Sequence, residues 1–445
     1  MRIAIIGGGY VGLVSGTCLA EFGSDVVVVE TDHAKVMALQ AGQSPIYEPG
    51  LDVLLADNVA AGRLTFTTDL TEAVVGVEAV FIAVGTPSRR GDGHADLSYV
   101  FAAAKQVARA LTDYAVLVTK STVPVGTGQR IVDLVRHVRP DLHFDVASNP
   151  EFLREGSAIA DFMRPDRVII GTESERAQDV MRRIYQPISL IETPIVFTSV
   201  ETAELTKYAA NGFLAMKVTF INEMADLCEK VGANVHDVAC GIGLDGRIGR
   251  KFLQPGPGYG GSCFPKDTLA LVRSAQDAGS PLRLVETVVS VNNARKAGMA
   301  MRIIAACGGV QDKTIGILGL TFKPETDDMR ESPSIPIIDR LVDDGAIIRV
   351  YDPKGMAQAA ACLPEVFFCE DAVSAAQDAD ALVLVTEWNE FRAIAPDKLL
   401  AVMRGNVLVD LRNVYDPQIM QQAGFVYHSL GQPGCHKAPV RSTPE

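Results

Sequence analysis

The sequence predicts an α/β protein built as two Rossmann-like α/β domains joined by a long central helix, and three observations carry that reading. Short Val- and Ile-rich runs alternate with amphipathic stretches at both ends of the chain, a glycine fingerprint follows the first run, and an uninterrupted helical pattern spans about Val200 to Val231. Apolar runs separated by helical patterns fit parallel strands covered by helices on both faces.

The first rhythm has runs at Ile3 to Ile6, Val26 to Glu30, Leu64 to Thr68, Ala79 to Val84, Ala115 to Thr119, Asp145 to Ser148, Val168 to Gly171 and Ile195 to Thr198. Gly232 ends the long helix, and a second helical stretch follows Pro265 and reaches about Ala306. After Gly308-Gly309 the strand rhythm resumes with Ile315 to Leu320, Ile347 to Tyr351, Ala381 to Val385, Val407 to Asp410 and Phe425 to His428. The expected domains are therefore 1–199, dinucleotide-binding; 200–308, central and helical; and 309–432, a second α/β unit, with a loosely ordered polar tail at 433–445. The two α/β parts echo each other: the first leads from strand through turn and helix to a strand ending in Glu30, the second likewise to Asp352, without the glycine triplet.

Composition narrows the function. The 445 residues are 48% apolar and 21% charged, as in ordinary globular proteins. A net charge of −13 with no basic run disfavours nucleic acid as a partner. The apolar start at Ile3 to Leu19 is interrupted by five glycines and reads as strand, turn and helix rather than a signal peptide; no membrane span is expected elsewhere. Eight scattered cysteines without CxxC spacing or a neighbouring His cluster imply no metal site and reduced thiols in a cytoplasmic protein.

Two glycine-rich loops carry the chemistry. Gly7-x-Gly9-x-x-Gly12 follows a strand, opens a helix, and precedes the strand-ending acid Glu30 by eighteen residues. That context fits a dinucleotide site, with the pyrophosphate on the helix N-terminus and Glu30 accepting from the ribose hydroxyls while repelling a 2′-phosphate, so NAD is the expected cofactor; a glycine-rich turn in a flavodoxin-like sheet and an FAD site are the alternatives. The second loop, Phe252 to Asp267, crowds glycines before Cys263, which sits at the start of the helix after Pro265. There the helix dipole and Lys266 favour the thiolate. On these residues alone Cys263 is as readily an inert thiol as a nucleophile; for the other seven cysteines a buried, inert thiol is the better reading.

In one order along the chain stand the dinucleotide loop, Ser121-Thr122-Val123-Pro124-Val125-Gly126-Thr127, Asn149-Pro150-Glu151-Phe152-Leu153-Arg154-Glu155-Gly156, Lys207-Tyr208-Ala209-Ala210-Asn211 and Gly260-Gly261-Ser262-Cys263-Phe264-Pro265-Lys266-Asp267. This set resembles the UDP-glucose/GDP-mannose 6-dehydrogenases from residue 1 to about 430. The resemblance implies oxidation of the C6 alcohol of a nucleotide sugar to a carboxylate by two NAD⁺, through a Cys263 thiohemiacetal and thioester.

It implies roles at matching positions. Lys207 and Asn211, four apart on one helix face, would reach an oxyanion or a base water; Glu151 with Thr122 would activate the hydrolytic water; Asp267 would orient the base water. A solvated helix face, an exposed loop carboxylate and a helix cap are the plainer alternatives for these groups. Gly7, Gly9, Val11, Gly12, Glu30, Lys35, Thr86, Ser121, Glu155, Lys266 and Arg330 match NAD contacts. Phe152, Leu153, Arg154, Glu155, Phe252, Leu253, Gln254, Pro255, Gly256, Gly260 and Lys323, with Lys207 and Asn211, match nucleotide-sugar contacts. Arg247 matches a residue that reaches the partner subunit's substrate, and Arg412 is a weaker candidate for the nucleotide end. For Arg154 and Glu155 the alternative is a loop salt bridge, and for Lys35 and Arg330 an ordinary surface charge.

Arg247-Ile248-Gly249 and the cysteine loop look like the UDP-glucose branch, so the resemblance implies UDP-glucose as substrate and a homodimer formed through the central helix. The alternatives are the same reaction on GDP-mannose or a UDP-N-acetylhexosamine, or, in a different class, a single-hydride β-hydroxyacid dehydrogenase, which has no use for Cys263.

Overall fold

The structure, a computed structural model, describes residues 1–89 and 91–432, so the expected polar tail lies outside the described residues. Its packing divides the chain into two compact units: Met1–Ala210 with Leu269–Pro281, and Asn211–Thr268 with the chain from Leu282 onward.

The first unit holds an eight-stranded sheet of β1 (Arg2–Ile6), β2 (Asp25–Val29), β3 (Leu64–Thr67), β4 (Ala79–Ile82), β5 (Ala115–Thr119), β6 (Phe144–Ser148), β7 (Val168–Gly171) and β8 (Ile195–Thr198). The order is β3-β2-β1-β4-β5-β6-β7-β8, parallel except for one antiparallel pairing of Ser148 with Gly171. Alternate residues leave opposite faces: Ile3, Ile5, Val26 and Val28 enter one apolar cluster, and Ala4, Ile6, Val27 and Val29 the other. Burial on both faces explains why these strands read as continuous apolar runs.

The second unit carries a parallel six-stranded sheet of β9 (Thr314–Leu318), β10 (Ile347–Tyr351), β11 (Phe367–Phe368), β12 (Ala381–Leu384), β13 (Val407–Asp410) and β14 (Val426–Ser429), in the order β11-β10-β9-β12-β13-β14. Asp352, the counterpart of Glu30, is buried. It accepts from the backbone N–H of Leu320, Thr321, Lys354 and Gly355 and from the Trp388 indole, so it fastens its own turn.

The long helix Val200–Val231 runs unbroken, as expected, from the first unit into the second. Within the first unit its start lies against Gly128 and Gly171, where a Cβ would come within 2.4 Å of Val200 Cγ1 and 2.6 Å of Ala203 Cβ. The second helical stretch is not continuous. It divides into Phe264–Asp277 and Arg283–Ala306, interrupted by left-handed Gly279 and by Pro281. The seven cysteines expected to be buried divide: Cys18 and Cys228 are buried, Cys307 and Cys369 half-buried, Cys240 and Cys362 exposed on their helices, and Cys435 lies outside the described residues.

Candidate functional site

In the first unit the expected residues gather beyond the C-terminal ends of the parallel strands, where open α/β sheets bind ligands. After β1 the chain turns through Gly7, at φ +113°, into the helix Tyr10–Glu21. The helix begins at Gly9, whose N-cap position offers no side chain to its first N–H groups, so these donors suit an anion. Gly12 is required by close approach: a Cβ there would lie 1.9 Å from the Gly7 carbonyl oxygen. Glu30 flanks the turn, with its Oε2 3.0 Å from where a Gly8 Cβ would stand, and its Oε1 accepts from Thr31 N at 2.7 Å. Val11 is half-buried against the sheet core, Thr86, Ser121 and Thr122 are buried, and Ser121 Oγ donates to Val84 O at 2.6 Å. Lys35 stays exposed on its helix. This set fits a dinucleotide pyrophosphate and ribose.

Glu151 follows β6 and is buried, its Oε2 accepting from Leu153 N at 2.6 Å. Its Oε1 lies 3.2 Å from Lys207 Nζ on the long helix, and both side chains are nearly sealed from solvent, at 6% and 3% exposure. Lys207 Nζ also sits 5.2 Å from the centre of the Phe152 ring. The exposed-loop and solvated-face alternatives for Glu151 and Lys207 therefore fail. Arg154, by contrast, is turned into a bidentate ion pair with Asp161, while Glu155 is half-buried.

In the second unit Cys263 immediately precedes the helix Phe264–Asp277 and is half-buried, with Ser262 Oγ 3.6 Å from its sulfur. Asp267, one turn on, is only 1% exposed; its two oxygens accept from Asn211 Nδ2 and Lys266 Nζ, each at 2.6 Å. Asn211 is buried as well, one helical turn beyond Lys207. The approach loop is held along its length: Gly256 N donates to Asn222, its carbonyl accepts from Arg295, and Tyr259 exchanges hydrogen bonds with Asn292. A Cβ on Gly260 would lie 2.3 Å from the Glu331 carbonyl oxygen, and one on Gly261 2.7 Å from the Phe322 ring.

Arg412 lines this loop, bonding the carbonyls of Val385 and Phe322 beside Gly256, with Lys323 Nζ 5.6 Å from the Phe322 ring centre. Gln254 is exposed and Phe252 half-buried in a left-handed conformation; Pro255 is buried, and Leu253 belongs to the core with Ile221 and Val235, leaving its backbone for a ligand. Arg330 is paired with Asp328, and Arg247 stands out at 89% exposure against Asp245.

Several buried ionisable residues escaped the sequence reading, Glu48, Glu204 and Lys120 among them. Glu48 accepts from Tyr10 in the glycine turn and from the N–H of Gly156 and Ala158 after the Glu151 loop. Glu204 accepts from Gly126 N at 2.7 Å and Gly128 N at 2.8 Å, and burial pushes its carboxyl up to about 7. Lys120 lies at the end of β5. Only the acid preceding Pro49-Gly50 offered a sequence signal, a charge inside a turn. Among the described residues no group of His, Cys, Asp and Glu could hold a metal, and no helix is long and apolar enough to cross a membrane.

Three profiles of the UDP-glucose/GDP-mannose dehydrogenase family match in succession: the NAD binding domain at residues 1–189, the central domain at 201–294 and the UDP binding domain at 316–417. A UDP-glucose 6-dehydrogenase of Rhizobium meliloti is 59% identical over 436 residues, 97% of this chain and 100% of the relative. A UDP-glucose dehydrogenase from Pyrobaculum islandicum superposes with a TM-score of 0.90 at 38% identity, covering 97% of this chain and 98% of that one. A UDP-D-ManNAc dehydrogenase from Pyrococcus horikoshii gives 0.85 at 27% identity, covering 97% and 99%.

Proposed function

Since the chain belongs to the UDP-glucose/GDP-mannose dehydrogenase family, we propose that it oxidises UDP-glucose to UDP-glucuronate, with two NAD⁺ reduced per sugar. The observation that carries this reading is Cys263 at a helix start, with the buried Asn211–Asp267 pair one turn away, in a chain whose Lys207 and Glu151 also form a buried pair. A single-hydride dehydrogenase would need no such thiol. The 59% identity along the whole of a UDP-glucose 6-dehydrogenase favours glucose over other nucleotide sugars, since the likeness to a UDP-D-ManNAc dehydrogenase is far lower in sequence.

Gly7, Gly9 and Gly12 would hold the NAD pyrophosphate and Glu30 its ribose, with Thr86, Ser121 and Glu155 toward the nicotinamide. Bound NAD⁺ supplies the hydride acceptor for both oxidations. Gly256, Gly260, Lys323 and Arg412 would take the nucleotide, and Phe152 and Leu153 the sugar. Lys207 and Asn211 offer a cation and an amide donor to an oxygen on C6, and Asp267 fixes the Asn211 amide. The Cys263 thiolate bonds to C6 of the aldehyde, giving a thiohemiacetal whose oxidation leaves a thioester. Water then adds to C6, Glu151 takes its proton, and the sulfur leaves with the electron pair of the C–S bond.

We assign the cofactor, central and nucleotide parts to 1–199, 200–308 and 309–432, ranges that enclose the matched segments 1–189, 201–294 and 316–417. Phe213, Phe220 and Leu227, seven residues apart on the long helix and each at least 47% exposed, form an apolar stripe that suits a homodimer. We place the protein in the cytoplasm, whose reducing conditions suit scattered cysteines kept as thiols, Cys263 included. The purified protein, given UDP-glucose, GDP-mannose and UDP-N-acetylmannosamine in parallel with NAD⁺, should form NADH fastest with UDP-glucose; equal or faster turnover of another sugar overturns the assignment.

A further inference from the structure

Lys120 is a cation with no obvious reason to be where it is. Only 4% exposed, it follows β5 directly before Ser121 and Thr122, and its backbone N–H is fixed on Ile82 O. Its Nζ donates to Asn149 Oδ1 at 3.0 Å and to the Tyr185 hydroxyl at 3.2 Å, and lies 5.6 Å from the Phe162 ring centre. Both acceptors are neutral. Asn149 in turn accepts from Tyr185 OH at 2.5 Å, donates to Ile169 O at 2.8 Å, and hangs by its own N–H on Thr119 O. A methionine would fill such a pocket without desolvating a charge, so the ammonium needs a functional return. The charges it feels are Glu151, which favours its protonation, and Lys207, which opposes it, while burial pulls it down to about 8.

We propose that Lys120 is a positioning residue for Glu151: it pins Asn149, two residues before Glu151, and adds to Lys207 a second positive charge that keeps the Glu151 carboxylate ionised for thioester hydrolysis. This rests on the function proposed above. In that step water's oxygen bonds to C6, its proton passes to Glu151, and the Cys263 sulfur departs, so a protonated Glu151 stalls the enzyme as its thioester. Asn149 and Tyr185 hold the ammonium in place rather than act on substrate.

The test compares kcat against pH for the wild type, Lys120→Met and Asn149→Asp, with intact-mass detection of acylated Cys263 after acid quench. Lys120→Met removes the charge, and Asn149→Asp neutralises it with little change of shape. Each should move the acid limb upward by ~0.5–1 pH unit, the effect of losing one buried positive charge that interacts with Glu151, and should accumulate thioester at the acid end of the profile. If Lys120→Met does not fold, Asn149→Asp decides. An unmoved acid limb in an otherwise active variant overturns the proposal, and so does a Tyr185→Phe variant, which keeps the charge, shifting the limb as far. Wild-type protein that makes no UDP-glucuronate would instead overturn the function itself.

Discussion

Replacing Gly12 by alanine should destroy NAD binding through the fold of the turn, whereas replacing Gly9 should act only through the ligand. At Gly12 the new Cβ would lie 1.9 Å from the Gly7 carbonyl oxygen and 3.0 Å from its carbon, against ~3.5–4 Å for resting nonbonded carbons. The contact is backbone to backbone, so no side chain can swing aside; the helix start must retreat by about 1.5 Å. That displacement takes the first N–H groups beyond hydrogen-bond range of a pyrophosphate held by the rest of the site. Two charge-assisted hydrogen bonds at ~1.5–3 kcal/mol each amount to ~3–6 kcal/mol, on the order of 10²–10⁴-fold in Kd. A Cβ at Gly9 meets no heavy atom within 4 Å, and its φ of −84° suits alanine, so Gly9→Ala should melt like the wild type. Titration calorimetry with NAD⁺, alongside thermal melting, separates the cases. A Gly12→Ala protein whose Kd stays within about threefold of the wild type would refute the reasoning.

Cys263→Ser should bind NAD⁺ normally yet make no UDP-glucuronate, because a serine alkoxide is not available near neutral pH to trap the aldehyde; full turnover would show that the thioester route is wrong. Lys207→Met leaves Glu151 buried without its cation and should cost ~3–5 kcal/mol in urea unfolding, partly regained in the double variant with Glu151→Gln; an unchanged midpoint would deny that pair its role. Glu204 is held near 7 in the folded chain against an ordinary 4.5, so the native state keeps a proton that the unfolded chain has released. Stability should therefore fall as pH rises from about 4.5 to 7, by at most roughly 3 kcal/mol, and Glu204→Gln should flatten that slope; an identical slope in the variant argues against it.

The parts legible in the sequence were those whose signal is local. Both glycine loops, the strand-ending Glu30 and the long helix announce themselves through neighbours in the chain, and the structure has each of them. Asp352 illustrates the limit: in sequence it mirrors Glu30, yet its carboxylate is used up on four backbone N–H groups and Trp388, which only the folded turn around Leu320 shows. Glu48, Lys120 and Glu204 were missed because their partners lie 29 to 110 residues away. No spacing rule links a turn acid to Tyr10 and Gly156, or a strand-ending lysine to Asn149 and Tyr185. The break between Asp277 and Arg283 is legible in Gly279-Ser280-Pro281, a helix-ending sequence that the expected continuous stretch passes over, and Arg154 is expected at a ligand although Asp161 lies one short loop away.

The most direct test of the account is the number of NADH formed per UDP-glucose consumed, followed to completion with the purified protein and with UDP-glucuronate identified as product. Two NADH per sugar is the expected result, since the Cys263 adduct retains the aldehyde for a second oxidation. One NADH per sugar with a free aldehyde product would contradict it.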